Sequence, residues 1–251
     1  MKKVILTTIC LMVLGIATAQ AQEKFYLVSA GVADYPGLKM DLRTCANDAN
    51  TIRWVYQENK KAESVTLMNS KATIANILAA LEQQFMKASS EDAIIFFFSG
   101  HGSPGSFVCY DGLLDYSRIK KIMAKSKAKY KMVFADACFS GKMTERRGGS
   151  ASSRTPNQPA PAEDVNDTEV MFFLSSRPTE TSLEFSNMKN SLFTSYLQRG
   201  LRGGADATKD RIITAKEIFL YVQRHVVDMS RDRQHPVMWG KFDDNMSVIA
   251  W

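Results

Sequence analysis

Asp92-Ala93-Ile94-Ile95-Phe96-Phe97-Phe98-Ser99-Gly100-His101-Gly102 carries six apolar residues in succession and then breaks to small and polar ones. An apolar run without polar interruption suits a strand covered on both faces, as in a parallel sheet, rather than a strand with one wet face. Lys131-Met132-Val133-Phe134-Ala135 repeats the pattern and breaks into Asp136-Ala137-Cys138-Phe139-Ser140-Gly141. We read strands over 92–98 and 131–135. Around them, strands are expected at 25–31, 64–68 and 170–175, with helices over 46–58, from Thr73 onward, 116–124 and 192–201. In the second helix Ile74, Ile77, Leu78, Leu81 and Phe85 recur on one side. Thr214 and Glu217 have capping-box spacing and open a last helix, and 237–251 holds a closing strand. Strands alternating with helices give an α/β fold, with a mostly parallel central β-sheet flanked by helices.

Composition agrees with a globular chain. The 251 residues are 45% hydrophobic and 23% charged, enough for one large domain and unlike a disordered chain or a multi-span membrane protein. The net charge of +6 is spread along the chain and indicates no nucleic-acid partner. Lys2 and Lys3 precede an apolar run over 4–16 and then Ala17, Ala19 and Ala21, the pattern of a secretory signal peptide over 1–21. The run is too short for a bilayer span. A secreted or periplasmic location follows, with no membrane span after signal removal and one domain over 22–251. Within that domain, 142–168 holds Arg146, Arg147, Arg154, paired glycines and Pro156, Pro159 and Pro161, and reads as a flexible linker. The mature chain keeps Cys45, Cys109 and Cys138, an odd number, so a disulfide framework does not account for them. Cys109 has no role that the sequence suggests.

Two strand ends carry the chemistry. Ligands of open α/β sheets bind beyond the carboxyl ends of the strands, so His101 and Cys138 can face one crevice. A thiolate is a strong nucleophile, an imidazole can generate it and later protonate a leaving amine, and backbone N–H groups, those of Gly102 and Cys138, can hold an oxyanion. Taken singly, His101 reads as a loop histidine and Cys138 as a small buried residue. A zinc site from Cys45, His101 and Cys138 has no supporting spacing. His225 and His235 read as structural or solvated.

Taken together, these residues resemble the caspase and metacaspase superfamily of cysteine peptidases. Ser99-Gly100-His101-Gly102 is similar to its histidine motif and Asp136-Ala137-Cys138-Phe139-Ser140-Gly141 to its cysteine motif in the metacaspase form. Cys45-Ala46-Asn47-Asp48-Ala49, Ser175-Ser176-Arg177-Pro178-Thr179-Glu180-Thr181-Ser182 and Ser191-Leu192-Phe193-Thr194 follow the family's order. The resemblance implies a caspase-like fold, with Cys138 as nucleophile and His101 as general base and acid. It implies an acidic pocket from Asp48 and Asp136, lined by Cys45 and Ser99. Two carboxylates would select Arg or Lys before the scissile bond. It further implies a monomer, with self-cleavage in the linker at Arg146, Arg147 or Arg154. The alternative is a catalytically silent module that binds basic peptides. Many relatives need calcium, but only Asp111 and Asp115 follow the histidine here, so calcium dependence is doubtful and no metal or cofactor is assigned. Asp206, Thr208, Asp210 and Glu217 are spaced like an EF-hand loop, yet Arg211 stands where glycine is needed.

Overall fold

A computed structural model describes residues 24–37, 40–60, 62–138, 169–177, 180, 182–184 and 187–250, with the backbone alone for 59, 60 and 138. The apolar run forms β3 (Ala93–Ser103), whose side chains divide between two cores: Ile94, Phe96 and Phe98 enter one, and Ala93, Ile95 and Phe97 the other. Successive side chains of a strand leave on opposite faces, so a strand roofed on both sides needs apolar residues at every position.

β3 lies inside the sheet. The strand order is β2 (Glu63–Met68), β1 (Phe25–Gly31), β3, β6 (Tyr130–Cys138), β7 (Met171–Leu174) and β9 (Val237–Trp239). Every neighbouring pair is parallel except β7 with β9. Five helices cover the two faces. On one, α2 (Ile74–Phe85) and α3 (Tyr116–Lys125) bury Ile77, Leu81, Phe85, Ile119 and Met123. On the other, α1 (Cys45–Lys60), α4 (Leu192–Arg199) and α5 (Ala215–Ser230) bury Ile52, Tyr56, Leu197, Ile218 and Val222. The expected Thr214/Glu217 capping box opens α5, and Ser191 caps α4 by accepting the Thr194 N–H.

Three features depart from the sequence reading. β3 and β6 do not stop at Phe98 and Ala135 but run on through His101 and Cys138. Ladder hydrogen bonds are made by the backbone, so small and polar residues continue a strand when a partner strand lies alongside. A hairpin, β4 (Ser106–Cys109) and β5 (Gly112–Asp115), extends β3 and was not expected, because its short strands mix serine, glycine and aspartate with the apolar residues and so show no unbroken apolar run. The tail holds two strands. β9 closes the main sheet, while β10 (Ser247–Ala250) pairs with β8 (Ile212–Thr214) in a separate ribbon. The signal segment 1–21 and the linker 142–168, with Arg146, Arg147 and Arg154, lie outside the described residues.

Gly31 ends β1 where the first turn of α1 crosses it, and a Cβ built there would stand 2.3 Å from the Cys45 carbonyl oxygen. Gly31→Ala is therefore expected to push α1 off the sheet and to cost about 3 kcal/mol. The shift of the denaturation midpoint measures it. An unchanged midpoint would mean that the helix yields without loss.

Candidate active site

β3 and β6 pair in register over their last residues: Ser99 with Asp136, Gly100 with Ala137 and His101 with Cys138. Adjacent strands lie about 4.8 Å apart, so the backbone alone sets the two expected catalytic residues side by side. The His101 ring is fixed from the other side by the segment after β1. Its Nε2 lies 2.7 Å from the Met40 carbonyl oxygen, and a carbonyl only accepts, so Nε2 carries a proton and Nδ1 is left as the basic nitrogen. Tyr35 completes the support. Its phenol oxygen accepts the His101 N–H at 2.9 Å and donates to the Val108 carbonyl at 2.9 Å, and its ring lies 4.9 Å from the imidazole. Burial raises the phenol's pKa, which keeps it neutral and able to donate. Gly100 makes room for it, since a Cβ there would meet the phenol oxygen at 2.6 Å. Nothing in the spacing of Tyr35 or Met40 marked either residue beforehand.

Asp48 and Asp136 both lie buried against the start of α4. Asp48 accepts from Ser99 Oγ at 2.9 Å, Asn190 Nδ2 at 2.8 Å and the Ser191 N–H at 3.1 Å, while Thr44 Oγ1, 3.2 Å away, has its shorter bond to Glu184 at 2.6 Å. Asp136 accepts from Ser182 Oγ, from Ser191 Oγ, and from the Thr194 N–H and hydroxyl at 3.2 and 2.9 Å. Each carboxylate thus takes one of the N–H groups left open at a helix start, where the dipole also favours negative charge. All the donors are neutral. The ion pairs among the described residues involve other groups.

Two negative groups so placed do not ionise easily. Burial, reinforced by the charge of Asp136, pushes the Asp48 carboxyl up to about 7, against the donations from Asn190, Ser99 and Ser191. Burial likewise raises Asp136, against those from Ser182, Ser191 and Thr194. The two titrate as a pair.

Of the other expected site residues, Ser99 bonds Asp48, and Cys45 is buried with its thiol pushed well up by burial, so it does not compete as a thiolate nucleophile. Gly102 follows His101 in β3 and pairs with Phe107 of β4. The Cys138 side chain and the arginines of the linker lie outside the described residues. Asp111 and Asp115 each have a local task. Asp111 accepts the Ile74 N–H at the start of α2, and Asp115 accepts from Ser106. In the EF-hand-like stretch, Asp206 and Glu217 accept from their own loop, Asp206 from the N–H groups of Asp210 and Arg211, and Glu217 from those of Ala207 and Thr208. No cluster of three or more metal-ligating side chains occurs among the described residues. The carboxylate partners Ser182, Asn190, Ser191 and Thr194 were not singled out as site residues, although Ser182, Ser191 and Thr194 stood in quoted segments.

The model of the caspase domain matches residues 29–246. No curated protein matches the chain. Among solved structures, a Geobacter sulfurreducens protein superposes with a TM-score of 0.64 at 19% identity, over 88% of this chain and 95% of that one. Caspase-1 from Spodoptera frugiperda gives 0.64 at 16% identity, over 90% and 89%. The structure of pro-sf-caspase-1 gives 0.65 at 15% identity, over 90% of both. At these identities the likeness speaks for a caspase-like fold.

The raised Asp48 value has a thermodynamic consequence. An unfolded Asp ionises at its ordinary value of 3.8, while the folded one keeps its proton to about 7. The folded state is the better proton binder between those limits, so this contribution to stability is complete below the lower value and lost as pH rises through the upper one. Thermal melting of the catalytically disabled chain is expected to fall between pH 5 and 8, and Asp48→Asn to flatten that fall and raise Tm at pH 8. A variant that melts lower than the parent at pH 8 would contradict it.

Proposed function

Because the chain belongs to the caspase-domain family of cysteine peptidases, we propose that it is a secreted endopeptidase, freed of residues 1–21, that hydrolyses the bond after Arg or Lys. The observation that carries the basic preference is the pair Asp48 and Asp136, two buried carboxylates held by hydroxyl, amide and backbone donors with no cation of the described chain against them. Negative charge held by neutral donors alone is best neutralised by a positive group brought from outside. A guanidinium or ammonium exchanges neutral donors for charged ones, and charge-assisted bonds are about twice as strong. An aspartate side chain in the same place would be repelled.

In the reaction, Cys138 is the nucleophile and His101 the acid and base. Nε2 stays on the Met40 carbonyl, and Nδ1 takes the thiol proton. The sulfur attacks the scissile carbonyl carbon, and backbone N–H groups, those of Gly102 and Cys138, receive the negative oxygen. As the C–N bond breaks, the Nδ1 proton passes to the leaving amine. Water, losing a proton to Nδ1, then cleaves the thioester and returns the thiol. Substrate charge and pocket charge are matched without a metal ion. Arg146, Arg147 and Arg154 are the bonds at which the enzyme would cut itself.

The test uses the chain without residues 1–21 against peptides that differ only in ending with Arg, Lys or Asp before the reporter, with and without calcium. Turnover of the Arg and Lys peptides alone is expected. Cys138→Ala and His101→Ala should each lower kcat/KM about a thousandfold or more, and Asp136→Asn about a hundredfold for the Arg peptide, chiefly through KM. KM for Arg should fall as pH rises through about 7, as the pocket ionises. Preference for the Asp peptide would overturn the pocket assignment. Binding of the Arg peptide without turnover by the unaltered chain would mark a silent module.

A further inference from the structure

Gln234 belongs to none of the motifs noticed in the sequence, yet it is fully buried. It follows α5, and its N–H is tied back to Ser230 Oγ of that helix at 3.1 Å. Its carboxamide has three partners, and they admit one orientation. The Leu183 N–H only donates and takes Oε1 at 2.9 Å, while the Ser175 carbonyl only accepts and takes Nε2 at 2.9 Å. Nε2 also reaches Ser182 Oγ at 3.3 Å. With that oxygen receiving the amide, the Ser182 hydroxyl proton is turned toward Asp136 Oδ1, where the hydrogen bond is made.

We propose that Gln234 is a specificity-setting positioning residue, which acts through Ser182 to keep a hydroxyl donor aimed at Asp136 and so holds the pocket for a basic side chain in its anionic form. The proposal rests on the reading of Asp48 and Asp136 as that pocket. It explains why a glutamine, costly to bury without partners, sits buried beside the end of β7. The residue after it adds a second fastening. The His235 N–H and Nδ1 bond the two oxygens of Glu180 at 2.7 and 2.8 Å. Two consecutive residues thus tie Ser175, Glu180, Ser182 and Leu183, and the tie ends on the carboxylate. Donation by Ser182 favours ionised Asp136 against the burial that opposes it. Without the amide, Ser182 loses the donor that turns its proton toward Asp136.

The test has two arms. In a Cys138→Ala background, the Asp136 carboxyl carbon is titrated by NMR in the parent, Gln234→Met, Ser182→Ala and the double variant. Met keeps the length of Gln and none of its hydrogen bonds. Gln234→Met and Ser182→Ala are each expected to move the Asp136 titration to higher pH, and the double variant to move it no further than Ser182→Ala alone. With the catalytic residues intact, Gln234→Met should raise KM for the Arg peptide about tenfold while kcat stays within about twofold. Should Gln234→Met not fold, Gln234→Glu serves: it keeps an acceptor for Leu183, draws the Ser182 proton to itself, and is expected to shift Asp136 upward too. An Asp136 titration unmoved by either Gln234 variant, or shifts that add in the double variant, would overturn the proposal. A chain that shows the linked shifts but cleaves no basic peptide would overturn the pocket reading instead, and the linked shifts would stand.

Discussion

Nine consecutive residue pairs join β3 to β6, from Ala93 with Tyr130 to His101 with Cys138, and everything at the site inherits its position from that ladder. Side chains alternate between faces along each strand, so a slip of one residue would send Phe96 and Phe98 into the wrong core. The register is therefore enforced far from the chemistry, by large apolar side chains that fit only one way. His101 and Cys138 come together as the last pair of a ladder whose earlier pairs are held by hydrophobic burial. Placement on paired strands is also stiffer than placement on loops. The one mobile freedom left to His101, rotation of its ring, is taken up by the Met40 carbonyl and the Tyr35 ring.

The second constraint is electrostatic. Each buried carboxylate loses several kcal/mol of hydration, and a fold that keeps two of them together must supply donors in the right directions. α4 supplies the backbone ones. Ser191 is the hinge of this arrangement, since its N–H serves Asp48 and its hydroxyl serves Asp136, while it also caps the helix by accepting the Thr194 N–H. One residue thus links a strand end, two helix starts and a turn. Such a network tolerates little, because removing any donor leaves charge uncompensated.

The strands and helices of the main sheet could be read from the chain because burial on both faces leaves uninterrupted apolar runs, as in 93–98, and because caps such as Thr214 and Glu217 have a fixed spacing. What pattern cannot carry is pairing. That β3 continues through His101 depends on β6 lying beside it, and that Gln234 reaches Ser182 depends on the return of the chain after α5. A single glutamine among charged residues has no periodicity, and a carbonyl such as that of Met40 has no side-chain signature at all. The residues proposed for the chemistry, His101, Cys138, Asp48 and Asp136, were singled out by their types and order. Their supports were not, since support is a matter of distance in space.

The described chain leaves the sheet at Cys138 and resumes at Glu169, and each stretch contributes to both cores: Phe172 and Leu174 pack in one with Val133 and Phe98, and Phe173 and Leu197 in the other with Phe134 and Phe97. β7 is also hydrogen-bonded to β6 along its length. Two separately made fragments, 22–138 and 169–251, carry complementary halves of one interior, and neither can cover its own. Each stretch is in this sense the cover that the other's apolar faces require.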